Sequence, residues 1–135
     1  MQPLFFELIC CYYMCRLQEQ AELIFQAPET MIGLNVGGQI FEATVDILAR
    51  DPYSILAACC RVTPPFGRDI DGFFYFDRDW WLFRHILSFL RSNILPTDLD
   101  TLKELYSEAS FYRLESLLRA IEDVPVSQIT NIYPR

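Results

Sequence analysis

Several things are scarce in this 135-residue chain: it has one histidine, His85, one lysine, Lys103, and five glycines. With a single His, any Ser-His or Cys-His nucleophilic mechanism must run through His85. That residue falls inside a predicted helix beside Arg84, and no carboxylate is placed to orient it. No catalytic residue is assigned, and the chain is not read as an enzyme. Eleven basic residues against 18 acidic ones give a net charge of −7, and no Lys/Arg cluster offsets it. A surface that gains affinity by releasing phosphate counterions is therefore not expected, so nucleic acid is not a predicted partner. All the basic residues but Lys103 are Arg, whose planar fork suits bidentate ion pairs at interfaces.

The five cysteines, Cys10, Cys11, Cys15, Cys59 and Cys60, are odd in number and lack C-x-x-C spacing. That argues against a disulfide framework and for a reducing, cytoplasmic setting. His85 is remote in sequence from the Cys10–Cys15 cluster and no fourth ligand is evident, so neither a structural zinc nor any cofactor is predicted. Long apolar runs are also missing. Leu4 to Cys15 is aromatic and apolar but contains Glu7, well short of the about 20 residues that a spanning helix needs. Met1-Gln2-Pro3 provides no basic region of the kind that precedes a signal peptide's apolar run.

What is present is a chain with 52% hydrophobic residues, enough for one domain with a real core. The organisation read from it is an N-terminal extension over residues 1–30, helical or disordered, then a domain over 31–123 and a tail over 124–135. Three readings compete for the extension: a short segment lying on or near the domain, membrane contact through the aromatic run with acylated cysteines, or a region upstream of a translation start at Met31.

Pro28 marks a boundary, after which Ile32 to Val36 and Gln39 to Ala43 read as two strands joined at Gly37-Gly38. Such a pair allows the two positive φ angles of a primed turn. It lacks the Lys and Ser/Thr of a phosphate loop. Thr44 is placed to cap a helix through about Arg50, Asp51-Pro52 interrupts it, and Ser54 caps a second piece through Cys60. Arg61 to Gly72 carries two prolines and two glycines and reads as a surface loop. The continuous aromatic run Gly72-Phe73-Phe74-Tyr75-Phe76 predicts a strand buried on both faces.

A helix from Asp79 or Trp80 to Arg91 follows, with Phe83, Ile86, Leu87 and Leu90 on its apolar stripe and Arg84, Ser88 and Arg91 opposite. Thr97-Asp98-Leu99-Asp100 resembles a capping box, with Thr97 as the cap and Asp100 reaching back. The helix it opens, about Asp98 to Ala109, would bury Leu99, Leu102, Leu105, Tyr106 and Ala109. A last helix, Glu115 to Glu122, would pack Leu114, Leu117, Leu118 and Ile121 and pair Glu115 with Arg119 outside. Asp77 and Asp79 are two apart at a strand end, and with Arg78 between them a solvated cap or an ion pair accounts for them better than paired catalytic carboxylates.

The linked motifs carry a resemblance. The hairpin from Leu34 to Thr44, the residues Leu48, Pro52, Ser54 and Leu56, and Phe76-Asp77-Arg78-Asp79 leading into Leu82 to Arg91 occur in a recognisable order. So do Leu95-Pro96 and Glu104 to Leu117. From about Ile32 to Glu122 the chain resembles the BTB/POZ domain of the potassium-channel tetramerisation-domain-containing family. The resemblance implies an α+β fold, a three-stranded sheet flanked by about five helices. It also implies head-to-tail self-assembly into a ring of four or five subunits, in some members combined with an adaptor role for a cullin-3 ubiquitin ligase. By the same resemblance Asn35, Asp77, Arg78, Asp79, Trp80 and Arg84 are candidate subunit-interface residues. The chain departs from the family pattern at Trp80-Trp81, where a small turn is usual, and it lacks the His and Cys set that holds interfacial zinc in some channel members. The alternative reading is a membrane-associated auxiliary subunit of a channel or receptor, acting through residues 1–30.

Overall fold

A computed structural model of the chain describes residues 23–130. Strands β1 (Met31–Val36), β2 (Gln39–Thr44) and β3 (Phe74–Phe76) form a mixed sheet in the order β2-β1-β3, with β1 antiparallel to β2 and parallel to β3. Around it lie α1 (Val45–Leu48), α2 (Ile55–Cys59), α3 (Trp80–Ser92), α4 (Leu99–Tyr112) and α5 (Glu115–Glu122), followed by a 3-10 turn at Val126–Gln128. This is the α+β architecture that the resemblance implies. The apolar run Leu4 to Cys15 and most of the extension lie outside the described residues. Among the described residues no helix is long and apolar enough to cross a membrane.

The hairpin turn has φ of +56° at Gly37 and +97° at Gly38, and the Asn35 side chain accepts from the Gly38 N–H at 2.8 Å. Alternation on β1 sends Ile32, Leu34 and Val36 into the core, where they meet Phe74, Phe76, Phe83, Ile86 and Tyr112. Ser54 caps α2 by accepting from the Ala57 N–H, and Asp79 caps α3 by accepting from Trp81 and Leu82. Helix α3 ends at Asn93 in the left-handed region, and α5 has the expected bounds and its Glu115–Arg119 pair at 3.5 Å.

Five local expectations are corrected. Helix α1 stops at Leu48 instead of Arg50, and the Thr44 hydroxyl bonds the Asp46 carboxylate in place of a backbone amide. The aromatic run is a strand only over Phe74–Phe76, and Tyr75 is 47% exposed. The sheet is covered on one face only, so alternate side chains of β3 point outward. The cap of α4 is Asp98, which accepts from both the Thr101 N–H and its hydroxyl, and Thr97 stands one residue outside the helix with its carbonyl accepting from Thr130. That helix runs on to Tyr112, so Glu108 and Tyr112 are buried while Leu99 and Tyr106 are only half-buried. Finally, the start of the expected tail folds back, with Thr130 bridging to Asp98 and its N–H on the Thr97 carbonyl at 2.8 Å.

The end of the extension is also tied to the domain. Ile24 accepts from the Val62 N–H, Gln26 donates to the Cys60 carbonyl, and Pro28 and Thr30 accept from the first amides of α1.

Candidate functional site

The six candidate interface residues divide into those the fold gathers at one end and those it turns inward. The organising contact is between backbones. A Cβ placed on Gly37 would stand 2.4 Å from the Arg78 carbonyl oxygen, so the hairpin turn is seated directly on the Asp77-Arg78-Asp79 segment. The Gly37 N–H also donates to the Phe76 carbonyl at 2.8 Å. Hairpin, end of β3 and start of α3 therefore move as one surface.

Arg78 faces the protein's own interior. Its Nη2 lies 2.5 Å from Glu108 Oε1 on α4, and its guanidinium carbon sits 4.0 Å from the centre of the Phe111 ring. Both side chains are largely buried, where the ion pair is weakly screened. The flanking Asp77 and Asp79 are exposed, with one Asp79 oxygen committed to the α3 cap. Asn35 is half-buried and its side-chain oxygen closes the hairpin, which makes it part of the scaffold of this surface.

Beside these groups lies an apolar surface that the motif pattern did not single out in full. The strand register aligns Ile40, Asn35 and Tyr75 in one row across the outer face of the sheet. Ile40 is 41% exposed, and on α3 Trp80 and Trp81 are 43% and 40% exposed. Arg84 is exposed with its guanidinium 5.9 Å from the Trp81 ring, and His85 meets the same ring edge-on at 4.6 Å. Burial, then the charge of Arg84, holds the His85 imidazole below its usual pKa, and its Nε2 is buried with no hydrogen-bond partner among the described residues. Trp80 and Arg84 were legible from the motif; Ile40 and Tyr75 required the register.

Other buried polar groups lie elsewhere. Arg61 is buried, with no hydrogen-bond partner for Nε and Nη2 among the described residues, and desolvation lowers its pKa. Cys59 and Cys60 are buried thiols that donate to the Ile55 and Leu56 carbonyls, and burial pushes Cys60 up to about 12. Tyr112, in the core against Phe76 and Phe83, is raised well above the usual phenol value by burial. Among the described residues no group of three or more His, Cys, Asp or Glu side chains is placed to hold a metal ion.

Residues 32–122 match the BTB/POZ domain family. Among curated relatives, the human BTB/POZ domain-containing protein KCTD14 is 36% identical over 96 residues, which cover 71% of this chain and 37% of that protein. Mouse KCTD21 is 37% identical over 97 residues, covering 70% of this chain and 37% of its own length. Bovine KCTD5 is 37% identical over 95 residues, covering 68% of this chain and 41% of its own length. The chain thus spans about two fifths of the length of the relatives it matches.

Proposed function

The chain belongs to the BTB/POZ family of the potassium-channel tetramerisation type, a protein-interaction and oligomerisation module, and from that membership we propose that it closes into a ring of four or five identical subunits. The observation that carries this reading is the preassembled end of the molecule. The hairpin turn is seated on the Arg78 carbonyl, and Ile40, Tyr75, Trp80 and Trp81 are exposed, as are Asp77 and Asp79.

Interfaces draw most of their energy from a few aromatic and Arg anchors surrounded by polar groups, and this end supplies both. In a head-to-tail ring it meets a different face of the next subunit, and closure by rotation ends the assembly. Asp77, Asp79, Trp80 and Arg84 contact the neighbour directly, while Arg78 and Asn35 act from behind by fixing the segment's shape. Trp80 and Trp81 in place of a small turn give this ring more apolar contact per subunit. The module is non-catalytic and cytoplasmic, and the assembled ring serves as an adaptor for a cullin-3 ubiquitin ligase.

Sedimentation velocity on the full chain tests the reading. Trp80→Ser together with Ile40→Asp is expected to convert the ring to monomers with an unchanged circular dichroism spectrum. An unaltered sedimentation coefficient would remove this surface from the interface. Capture of purified cullin-3 by the wild-type ring, lost in the monomeric variant, is expected for the adaptor role.

A further inference from the structure

The two edges of the sheet are treated differently. On β2, Arg91 Nη2 donates to the Glu42 carbonyl at 3.0 Å, occupying an outward-facing acceptor. On β3 the Phe76 carbonyl faces β1, where Gly37 donates to it. Successive residues of a strand direct their backbone groups to opposite sides, so the N–H and C=O of Tyr75 point outward. Neither has a partner among the described residues.

The loop beside this edge is built. The Asp69 carboxylate accepts from the Asp71 and Phe73 amides at 3.0 and 2.9 Å, and the Asp69 N–H donates to the Phe73 carbonyl at 2.7 Å. Having closed the edge at Phe73, the loop diverges and leaves an open groove of about 260 Å³ along Phe74–Phe76. Phe66 stands edge-on to Phe74 and Phe76, at 5.9 and 6.3 Å between ring centres. The Arg68 guanidinium lies over the Phe74 ring at 4.8 Å, is exposed, and has no carboxylate partner among the described residues. One oxygen of Asp69, Oδ1, is held by the two amides, and Arg68 is the one cation among the residues that line the groove.

We propose that the outer edge of β3 accepts an extended segment of a partner protein as an added strand, with an apolar side chain against Phe66 and a carboxylate on Arg68. Main-chain bonds to Tyr75 supply attachment, and the pocket with its single cation supplies selectivity. An acidic partner is the occupant because Arg68 is a fork-shaped cation already lying against an apolar wall, ready for bidentate pairing with a carboxylate. The added strand uses the main chain of Tyr75 and the face of β3 that bears Phe74 and Phe76, whereas the proposed ring surface uses the Tyr75 side chain on the opposite face.

The test uses the full chain labelled with ¹⁵N and two blocked hexapeptides, Thr-Val-Thr-Glu-Thr-Val and Thr-Val-Thr-Lys-Thr-Val, in which Val and the charged residue, two apart, share one face of a strand. Titration with the Glu peptide is expected to shift the Tyr75 amide and slow its hydrogen exchange at least tenfold, with little response to the Lys peptide. Arg68→Glu, an exposed substitution, should reverse that preference. An unchanged Tyr75 amide with both peptides overturns the proposal, as does equal response to both. Concentration-dependent protection of Tyr75 in the peptide-free protein also overturns it, because the occupant would then be another copy of this chain. Ring failure is read separately, from mass.

Discussion

Arg78, the centre of the Asp-Arg-Asp motif, reaches across to Glu108, thirty positions later in the chain, and makes both an ion pair at 2.5 Å and a hydrogen bond through Nε at 3.4 Å. The motif thus has two jobs. Its Arg clamps β3 to α4, and its two carboxylates stay outside on the end that bears Trp80. Glu108→Ala removes the carboxylate partner of a largely buried guanidinium and is expected to cost about 3 kcal/mol, in the range for breaking a buried pair. Urea unfolding measures it, and a loss below about 1 kcal/mol, typical of exposed pairs, would show that the clamp is not needed.

Gly37→Ala is expected to destabilise more than Gly38→Ala. Both positions have positive φ, a strain of about 1–2 kcal/mol for a residue with a Cβ. Only at Gly37 does the new methyl meet backbone, 2.4 Å from the Arg78 oxygen, whereas Gly38 opens to solvent. Thermal unfolding of the two variants gives the order directly. Gly37→Ala should also weaken assembly, since it pushes the hairpin off the motif.

Asp51 holds the start of α5 from 65 residues away, accepting from the Ser116 N–H at 3.1 Å and its hydroxyl at 2.7 Å. Asp51→Ala is expected to cost about 1–2 kcal/mol, as for loss of a helix cap. Hydrogen exchange should rise first in Glu115–Glu122, and uniform loosening of the whole domain would contradict the assignment.

His85 gives a pH dependence with a definite sign. Its folded pKa lies below the ordinary value of 6.5, from burial and then Arg84. The fold therefore favours the neutral imidazole, and this stability is fully present above pH 6.5. It is lost as pH falls from there through the folded pKa. Replacing His85 with Gln should flatten the difference between urea midpoints at pH 7.5 and 5.0, whereas an unchanged difference would assign the acid sensitivity to other groups.

Much of this fold was legible because local signals agreed with one another. Gly37-Gly38, Ser54, the apolar stripe of α3 and the bounds of α5 each follow from local sequence chemistry, and tertiary packing did not override them. The misreadings share one cause. Whether Tyr75 is buried depends on what covers the outer face of the sheet, and the place of Thr97 just outside α4 depends on the return of Thr130 to its carbonyl. The partner of Arg78 is equally non-local, since Glu108 arrives from α4. In the candidate site the motif supplied Asp77, Asp79, Trp80 and Arg84, while Ile40 and Tyr75 join them only through strand register.

The central claim is self-assembly, and the most direct measurement is the absolute mass of the full chain by light scattering on a size-exclusion column, repeated across dilution into the micromolar range. The account predicts a mass of four or five subunits that does not change with dilution. A single-subunit mass throughout would contradict it.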